Sequence, residues 1–466
     1  MSLPLSGSPR SIGFGPRFVA PIVIGSMLNP VNSTMISTAL VPIGRALGTG
    51  AAGTVWLVSG LYAASAVAQP AMGKVADRFG PRRVYAAGLV LVGLAGLAGL
   101  RADSLGQLIA VRVALGVGTS AAYPAAMAMI RAQSDRLRRE PPGGVLGALT
   151  IAGLASAAVG PALGGLLTGL AGWRSIFVVN VPLAAVGLLL TLTWLPKDAP
   201  RPAGERESAW TALDPLGATL FAGVTLPAVL FLMRLDHPRW SLLALGGALA
   251  AALAAWELRA RRPFLDLRML AANRPLVRTY VRYATAFLVL YSVLYGYTQW
   301  LEESAGHSTT TTGLLMLPMS VVAAVASWLG SRRRRVRGPL LLGTGAMVVA
   351  TGVLLCAGPD SPVLLLVALG ALFGLPNGLN AVGNQTALYA QAPAEQTGTA
   401  AGLFRTAQYT GAVAASSLIG LFYGDHASTS GLHAIALVLG ALSVLLLLAT
   451  LADRDLARGD SKGTLA

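Results

Sequence analysis

Long apolar stretches separated by short polar or basic segments dominate the pattern of this chain. They are about 17–27 residues long, the length that an α-helix needs to cross the roughly 30 Å hydrocarbon layer of a bilayer. The stretches lie at residues 18–43, 54–75, 84–100, 105–130, 144–170, 176–195, 213–233, 240–256, 276–301, 313–330, 340–356, 363–389, 398–422 and 432–451. The pattern predicts an all-α polytopic membrane protein with fourteen transmembrane helices.

The order of the stretches predicts two six-helix bundles with two additional helices between them. Six stretches precede a polar linker at residues 196–211, two follow it, and six more complete the chain. We therefore expect an N-terminal bundle at 1–195, a central segment at 196–274, and a C-terminal bundle with a short tail at 275–466. A basic turn with a Gly-Pro pair follows the second stretch of each set of six, which favours duplicated halves with a substrate site between them.

Composition and charge agree with a membrane protein and argue against a nucleic-acid partner. Hydrophobic residues make up 54% of the chain and charged residues 12%, whereas ordinary soluble domains have about 25% charged residues. The formal net charge is +16, but the basic residues concentrate between the apolar stretches. With the N-terminus in the cytoplasm most of them become cytoplasmic, so we expect both termini there. A count of thirteen spans would reverse the second half of the chain and place the arginine-rich segment 332–337 outside. A count of twelve keeps that segment in the cytoplasm, so twelve spans stay an alternative.

The turn after the second stretch combines glycines, arginines and one acid. Its chemical pattern is carried by Gly73, Asp77, Arg78, Gly80, Arg82 and Arg83. Glycines allow two helices to meet in a tight turn, and arginines keep that turn in the cytoplasm. Asp77 requires a partner, either these arginines or a helix N-terminus. A solvated surface ion pair is the alternative interpretation.

Two further motifs lie in and after the fifth stretch. The first contains Gly160, Pro161, Gly164 and Gly165, where glycines four apart permit close helix contact and proline bends the helix. Simple small-residue packing is the alternative. The second is the run WRSIFVVNVP at residues 173–182.

Together these three motifs resemble those of the major facilitator superfamily, in its fourteen-span drug/proton antiporter branch. The resemblance implies that the first turn latches the halves together on the cytoplasmic side, and that the glycine–proline motif marks an antiporter. It also implies a role in proton transfer for Arg112, a costly charge within the fourth stretch. A structural anchor bonded to backbone carbonyls is the alternative for Arg112.

Polar groups inside the apolar stretches are candidates for a substrate route, because polar groups in lipid must face a neighbouring helix or a wet cavity. The candidates are Asn29, Asn32, Ser33, Tyr123, Tyr291, Tyr295, Gln299, Trp300, Asn377, Asn380, Asn384, Gln385, Arg405, Gln408 and Tyr409. The spacing of the three asparagines predicts one shared helical face. Packing between helices is the alternative for each residue, and snorkelling to the interface is a further alternative for Arg405.

The centres of the stretches contain no acidic residue, which bears on both substrate and driving force. An organic cation would find no buried carboxylate, so a neutral, amphiphilic or anionic substrate fits better. The candidates for carrying a proton are Asp77, Glu302 and Glu303. The four histidines are scattered and predict no metal site.

These features predict a secondary exporter in the bacterial cytoplasmic (inner) membrane, a proton-coupled antiporter of drug-like or amphiphilic small molecules that works by alternating access. A dedicated exporter of one endogenous metabolite, anion or lipid-like compound is the alternative. No nucleophile, metal cluster or acid pair suggests an enzyme, and no Walker loop suggests direct use of ATP. We expect no cofactor beyond the proton gradient, and a monomer whose partners are the substrate, protons and the lipid bilayer.

Overall fold

The structure, a computed structural model, describes residues 13–138, 143–198, 214–232, 238–260, 263–265, 267–331, 336–392, 397–453 and 455–456. Helices fill most of these ranges. The first part of the chain forms helices α1 (Pro16–Met35), α2 (Leu40–Leu47), α3 (Ala51–Phe79), α4 (Pro81–Leu100), α5 (Leu105–Ser120), α6 (Ala122–Leu137), α7 (Gly143–Ala171), α8 (Ser175–Val178) and α9 (Asn180–Trp194). A single turn of 3-10 helix, Ile36–Thr38, joins α1 to α2.

The remaining helices follow the linker, most of which lies outside the described residues. They are α10 (Pro215–Leu232), α11 (Trp240–Glu257), α12 (Leu267–Ala272), α13 (Arg274–Ser292), α14 (Thr298–Glu303), α15 (Thr309–Leu315), α16 (Leu317–Ser331), α17 (Arg337–Leu354), α18 (Val363–Gln391), α19 (Thr397–Tyr423) and α20 (Thr429–Ala452). A π-helical segment, Val293–Tyr297, joins α13 to α14. Within the described ranges, eleven helices are long and apolar enough to cross a membrane. The all-helical fold is confirmed, and the count of fourteen crossings stays a prediction.

Helices pair in the same way in the two predicted bundles. In the first, α1 packs against α7, α3 against α5, and α4 against α9. In the second, α13 packs against α19, α16 against α18, and α17 against α20. The two lists correspond element by element along the chain, as expected for parallel repeats. The bundle boundaries themselves stay a prediction.

Two sets of helix contacts join the bundles, and the correspondence between the halves relates one set to the other. Helix α3 packs against α19, and α7 packs against α15 and α16. Since α3 corresponds to α16 and α7 to α19, the two contacts are equivalent under an approximate two-fold relation. Any cavity between the bundles is therefore flanked by α3, α7, α16 and α19.

The outer surface of the helices is apolar. Leu170 and Leu364 are each 79% exposed, and many further leucines and valines face outward. The central helices α10 and α11 pack against each other and are the least covered of the apolar helices among the described residues. Such a surface is stable in hydrocarbon and not in water.

A carboxylate beyond α9 caps the basic turn that follows α3. Asp198 accepts hydrogen bonds from the backbone N–H groups of Arg82 (3.0 Å) and Arg83 (3.1 Å), which lie in the first turn of α4. Gly80 precedes α4 with a φ of 97° and a Cβ there would overlap the Asp198 carboxylate. The Arg82 side chain donates to the carbonyl oxygens of Thr191 and Leu192 in α9. In this conformation the turn is thus secured within its own bundle.

We expect Asp198→Ala to destabilise the protein by about 1 kcal/mol, because it removes an N-terminal helix cap. The thermal unfolding temperature of the detergent-purified protein measures the effect. Asp360→Ala, in the exposed turn between α17 and α18, is the matched control. Equal unfolding temperatures for the two variants would contradict the assigned cap.

Candidate functional site

A cavity of about 200 Å³ lies between the two bundles. Both bundles contribute polar side chains to its wall. From the first bundle come Asn29, Ser33, Gln69 and Tyr123; from the second come Tyr283, Tyr291, Asn377, Gln385, Arg405, Gln408 and Tyr409. Apolar side chains, including Phe287, Met316 and Met319, complete the wall. This mixture of apolar surface and a few convergent polar groups is typical of a small-molecule site.

The bundles close against each other at one end of the cavity, which we call the outer end and which is the predicted external side. Backbone hydrogen bonds cross the bundles there, from Ala51 N–H to Asp425 O (3.0 Å) and from Ala52 N–H to Gly424 O (2.7 Å). The Thr298 hydroxyl also donates to Ser37 O (3.3 Å). The cavity lies on the inner side of this closure.

A chain of hydrogen-bonded and stacked side chains connects the closure to the cavity. The Tyr295 hydroxyl donates to Ser33 O (2.7 Å) and lies 2.9 Å from the Tyr62 hydroxyl. The Tyr62 ring packs against Tyr291 (5.2 Å between ring centroids), whose hydroxyl accepts from Gln408 Nε2 (2.8 Å). Movement of the bundles must therefore break contacts that reach the cavity wall.

Three members of this region, Tyr62, Gln69 and Tyr283, were missed by the sequence reasoning. Tyr409 donates to Gln69 Oε1 (2.6 Å), a hydrogen bond that also joins the two bundles. Tyr62 and Gln69 are seven residues apart, two turns along one face of α3. That spacing of polar groups in an apolar stretch is the signal that identifies them.

Arg112 is an anchor between three helices of the first bundle. Its side chain is 2% exposed, and it donates from Nε to Leu57 O (2.9 Å) and from Nη1 to Asn32 O (2.9 Å). Its Nη2 is buried without a hydrogen-bond partner. The geometry matches the anchor alternative, and a role in proton transfer stays a prediction.

We expect Arg112→Met to lower the free energy of unfolding by roughly 3 kcal/mol, the scale of two hydrogen bonds from a charged donor. Methionine fills much of the volume but restores neither bond. Thermal unfolding of the purified protein measures the loss, with Arg131→Met, at an exposed position on α6, as the control. The anchor would be refuted by two variants that unfold at the same temperature.

The four residues of the glycine–proline motif contact two parts of the protein: the first bundle itself and the second bundle. A Cβ at Gly160 would overlap the Thr34 hydroxyl, and a Cβ at Gly164 would overlap Met35 O, so both glycines hold α7 close to α1. A Cβ at Gly165 would lie 2.7 Å from Thr309 O of the second bundle. The carbonyl of Pro161 accepts from the Thr38 hydroxyl (3.3 Å). The motif thus serves both packing inside one bundle and the outer closure.

Arg405 lines the cavity in this conformation. Its Nη1 donates to Gln408 Oε1 (2.9 Å), and its guanidinium lies 5.8 Å from the centre of the Tyr123 ring. Among the described residues that line the cavity there is no aspartate or glutamate. The charge of the wall is therefore positive.

Six predicted route residues lie outside this wall. Asn32, Tyr295, Gln299, Trp300, Asn380 and Asn384 are each at most 1% exposed and do not line the cavity. Asn32 pairs with Asn180 through two side-chain hydrogen bonds, and Trp300 donates to Thr429. Asn380 packs against Gly343 of α17, whereas Asn377 lines the cavity. In this conformation neighbouring helices cover these six residues, and their part in a substrate route stays a prediction.

Of the three predicted proton carriers, two lie at the outer closure. Glu302 is 6% exposed, accepts from the Thr309 hydroxyl (3.3 Å) through Oε2, and has a buried Oε1 without a partner. Glu303 accepts from the backbone N–H of Ala427 (2.5 Å). The Asp77 side chain lies outside the described part of the structure. Gly73 and Arg78 are in the last turns of α3.

Comparison with known proteins identifies relatives over nearly the whole chain. The family model described as Major Facilitator Superfamily matches residues 22–416 and 312–464. The uncharacterized MFS-type transporter YwoD of Bacillus subtilis is 32% identical over 91% of this chain and 93% of its own length. The multidrug resistance protein Stp of Mycobacterium tuberculosis is 28% identical over 85% of this chain and 74% of its own length.

Two further matches concern export and fold. The tetracenomycin C resistance and export protein of Streptomyces glaucescens is 29% identical over 86% of this chain and 74% of its own length. Among solved structures, the nucleoside transporter NupG (D323A mutant) superposes with a TM-score of 0.64, at 14% identity, over 93% of this chain and 99% of that chain. This second likeness concerns the fold alone.

Proposed function

This chain belongs to the Major Facilitator Superfamily, a family of multi-pass membrane transporters, and from that premise we propose that it is a proton-coupled exporter of small neutral, amphiphilic or anionic molecules in a bacterial cytoplasmic membrane. The observation that carries the proposal is the cavity shared by the two bundles and closed at its outer end. Relatives named for drug resistance and for export favour outward transport.

The way the bundles meet supports alternating access. Their contacts at the outer end are few hydrogen bonds and close glycine packing, which two rigid bundles can exchange for contacts at the opposite end. The cavity wall is built from helices that correspond under the repeat, so a rocking motion presents the same wall to either side. The present conformation, closed outside, faces the predicted cytoplasmic side.

We assign the proton-carrying role to Glu302 among the three candidates. Its buried, half-partnered carboxylate is costly to keep ionised, whereas separation of the bundles at the outer end brings water to it. Among the described residues, Arg45 and Glu303 are charged groups that act on it electrostatically. Protonation from outside therefore favours closure of the outer end. Gln299, one turn away and buried with both amide atoms unpartnered, lies between Glu302 and Tyr295 along the helix.

Uptake into inside-out membrane vesicles tests the proposal. We expect an imposed gradient, acid inside, to drive accumulation of an amphiphilic fluorescent substrate without ATP, and an uncoupler to abolish it. Accumulation that requires ATP, or that is the same with and without the pH gradient, would overturn the proposed coupling to protons. Turnover of the substrate into a new product would overturn the transport function itself.

A further inference from the structure

The cavity contains a positive charge whose surroundings lack a counter-ion among the described residues. Arg174, Arg278 and Arg282 each have a carboxylate partner, whereas no aspartate or glutamate among the described residues lines the cavity beside Arg405. One nitrogen of Arg405 donates to a neutral amide oxygen of Gln408. Leaving a half-buried guanidinium on this wall without a counter-ion costs free energy. An anion that enters the cavity removes this cost.

Aromatic rings surround the same charge. Tyr283 stacks on Phe404 with ring centroids 3.7 Å apart, and Phe287 lies 4.6 Å from Tyr283 and 5.2 Å from Tyr291. Tyr283, Phe287 and Tyr291 all line the cavity. Their faces and edges offer stacking surface for a flat ligand. The wall therefore combines one fixed cation with an aromatic shelf.

Resting on the proposed function, we propose that the transported molecules are aromatic oxyanions, whose carboxylate or phenolate binds Arg405 and whose rings pack against Tyr283, Phe287 and Tyr291. A guanidinium can hold a carboxylate through two parallel hydrogen bonds and a phenolate oxygen through a charge-assisted hydrogen bond, and an ammonium group does not offer the paired geometry. A cationic compound is repelled by Arg405 and finds no carboxylate in the described wall. Arg405 thus selects charge, and the aromatic shelf selects shape.

Equilibrium binding to the detergent-purified protein tests this assignment without any gradient. Three matched probes are 2-naphthoate, neutral 2-naphthamide and cationic 2-naphthylmethylammonium, measured by isothermal titration calorimetry. We expect 2-naphthoate to bind about tenfold more tightly than 2-naphthamide, the scale of one charge-assisted contact, and the cation to bind most weakly. Equal affinities, or tightest binding of the cation, would overturn the proposal in the unmodified protein.

Variants of Arg405 then test whether this residue causes the preference for the anionic probe. Arg405→Gln is expected to lower 2-naphthoate affinity about tenfold, to that of 2-naphthamide, while 2-naphthamide affinity stays unchanged. Arg405→Lys keeps the charge and should retain part of the preference, and it serves if Arg405→Gln fails to fold. Arg131→Gln, which removes an exposed arginine from α6, is the control. A preference for the anion that survives Arg405→Gln would refute the role of Arg405.

Vesicle uptake separates this inference from the transport function. Accumulation of 2-naphthoate to a higher level than 2-naphthamide supports both the export function and the assignment of an anionic substrate. Gradient-driven accumulation of the cation, without 2-naphthoate, leaves an exporter in place and overturns the anion assignment. Tight 2-naphthoate binding without accumulation of any probe supports the site and overturns the export function.

Discussion

Gly165→Val is expected to reduce transport strongly and to shift the protein toward a state that is open at its outer end. The added side chain meets Thr309 and Gly313 only where the two bundles touch, since a Cβ alone would lie 2.7 Å from Thr309 O and 3.1 Å from Gly313 Cα. Overpacking at such a contact costs about 1–3 kcal/mol. Because the cost falls on the outer-closed state alone, the ratio of the two states should change by about 5- to 150-fold.

Cysteine labelling measures this shift. In a Cys356→Ser background, Ser37→Cys places a thiol at a position that is buried in the outer closure. We expect Gly165→Val to increase its reaction with a membrane-impermeant maleimide added outside. Gly352→Val, at an exposed position on α17 where a Cβ meets no atom within 4 Å, is the control. Unchanged labelling in Gly165→Val would show that this contact does not hold the outer end closed.

Glu302→Gln is expected to uncouple transport from the pH gradient. Glutamine is close in shape to the protonated carboxyl group and keeps an acceptor for the Thr309 hydroxyl, so the outer closure should form. It does not release a proton. Gradient-driven accumulation in inside-out vesicles should therefore fall to the level measured without a gradient, whereas exchange of labelled for unlabelled substrate at equal pH should continue.

Glu303→Gln provides the matched control for that experiment. Glu303 lies next in the chain and its carboxylate accepts a backbone hydrogen bond from Ala427, which a glutamine oxygen can also accept. We expect this variant to keep gradient-driven accumulation. The reverse result, with coupling lost in Glu303→Gln and kept in Glu302→Gln, would move the proton site to the neighbouring carboxylate.

Hydrophobic periodicity predicted the helices in outline, and motif spacing singled out residues that the structure places in close contacts between helices. A helix occupies each predicted apolar stretch because only intrahelical hydrogen bonding satisfies the backbone in lipid. Arg112 stood out as a charge inside such a stretch, and the structure gives it the buried carbonyl partners that a charge there requires. Gly160 and Gly164 stood out by their spacing, and both meet α1 closely.

Hydrophobic periodicity and motif spacing could not predict contacts between distant parts of the chain. Asp198 lies in a polar segment where nothing marks it as the cap of α4, more than a hundred residues earlier. The pairing of Tyr62 with Tyr295 depends on how two bundles meet, and no local rule encodes that. The sequence also did not distinguish Asn377, which lines the cavity, from Asn380, which packs against α17. Both lie on a helix that has neighbours on several sides, so a polar side chain there can face either a cavity or another helix.

Double electron–electron resonance between spin labels tests alternating access most directly. In a Cys356→Ser background, one pair (Asp103→Cys with Asp360→Cys) reports the outer end, and a second pair (Arg131→Cys with Thr386→Cys) reports the inner end; all four positions are exposed. Substrate and a change of pH should shift the two distance distributions in opposite directions, one shortening as the other lengthens. Two distributions that stay fixed, or that move in the same direction, would contradict a route reached alternately from the two sides.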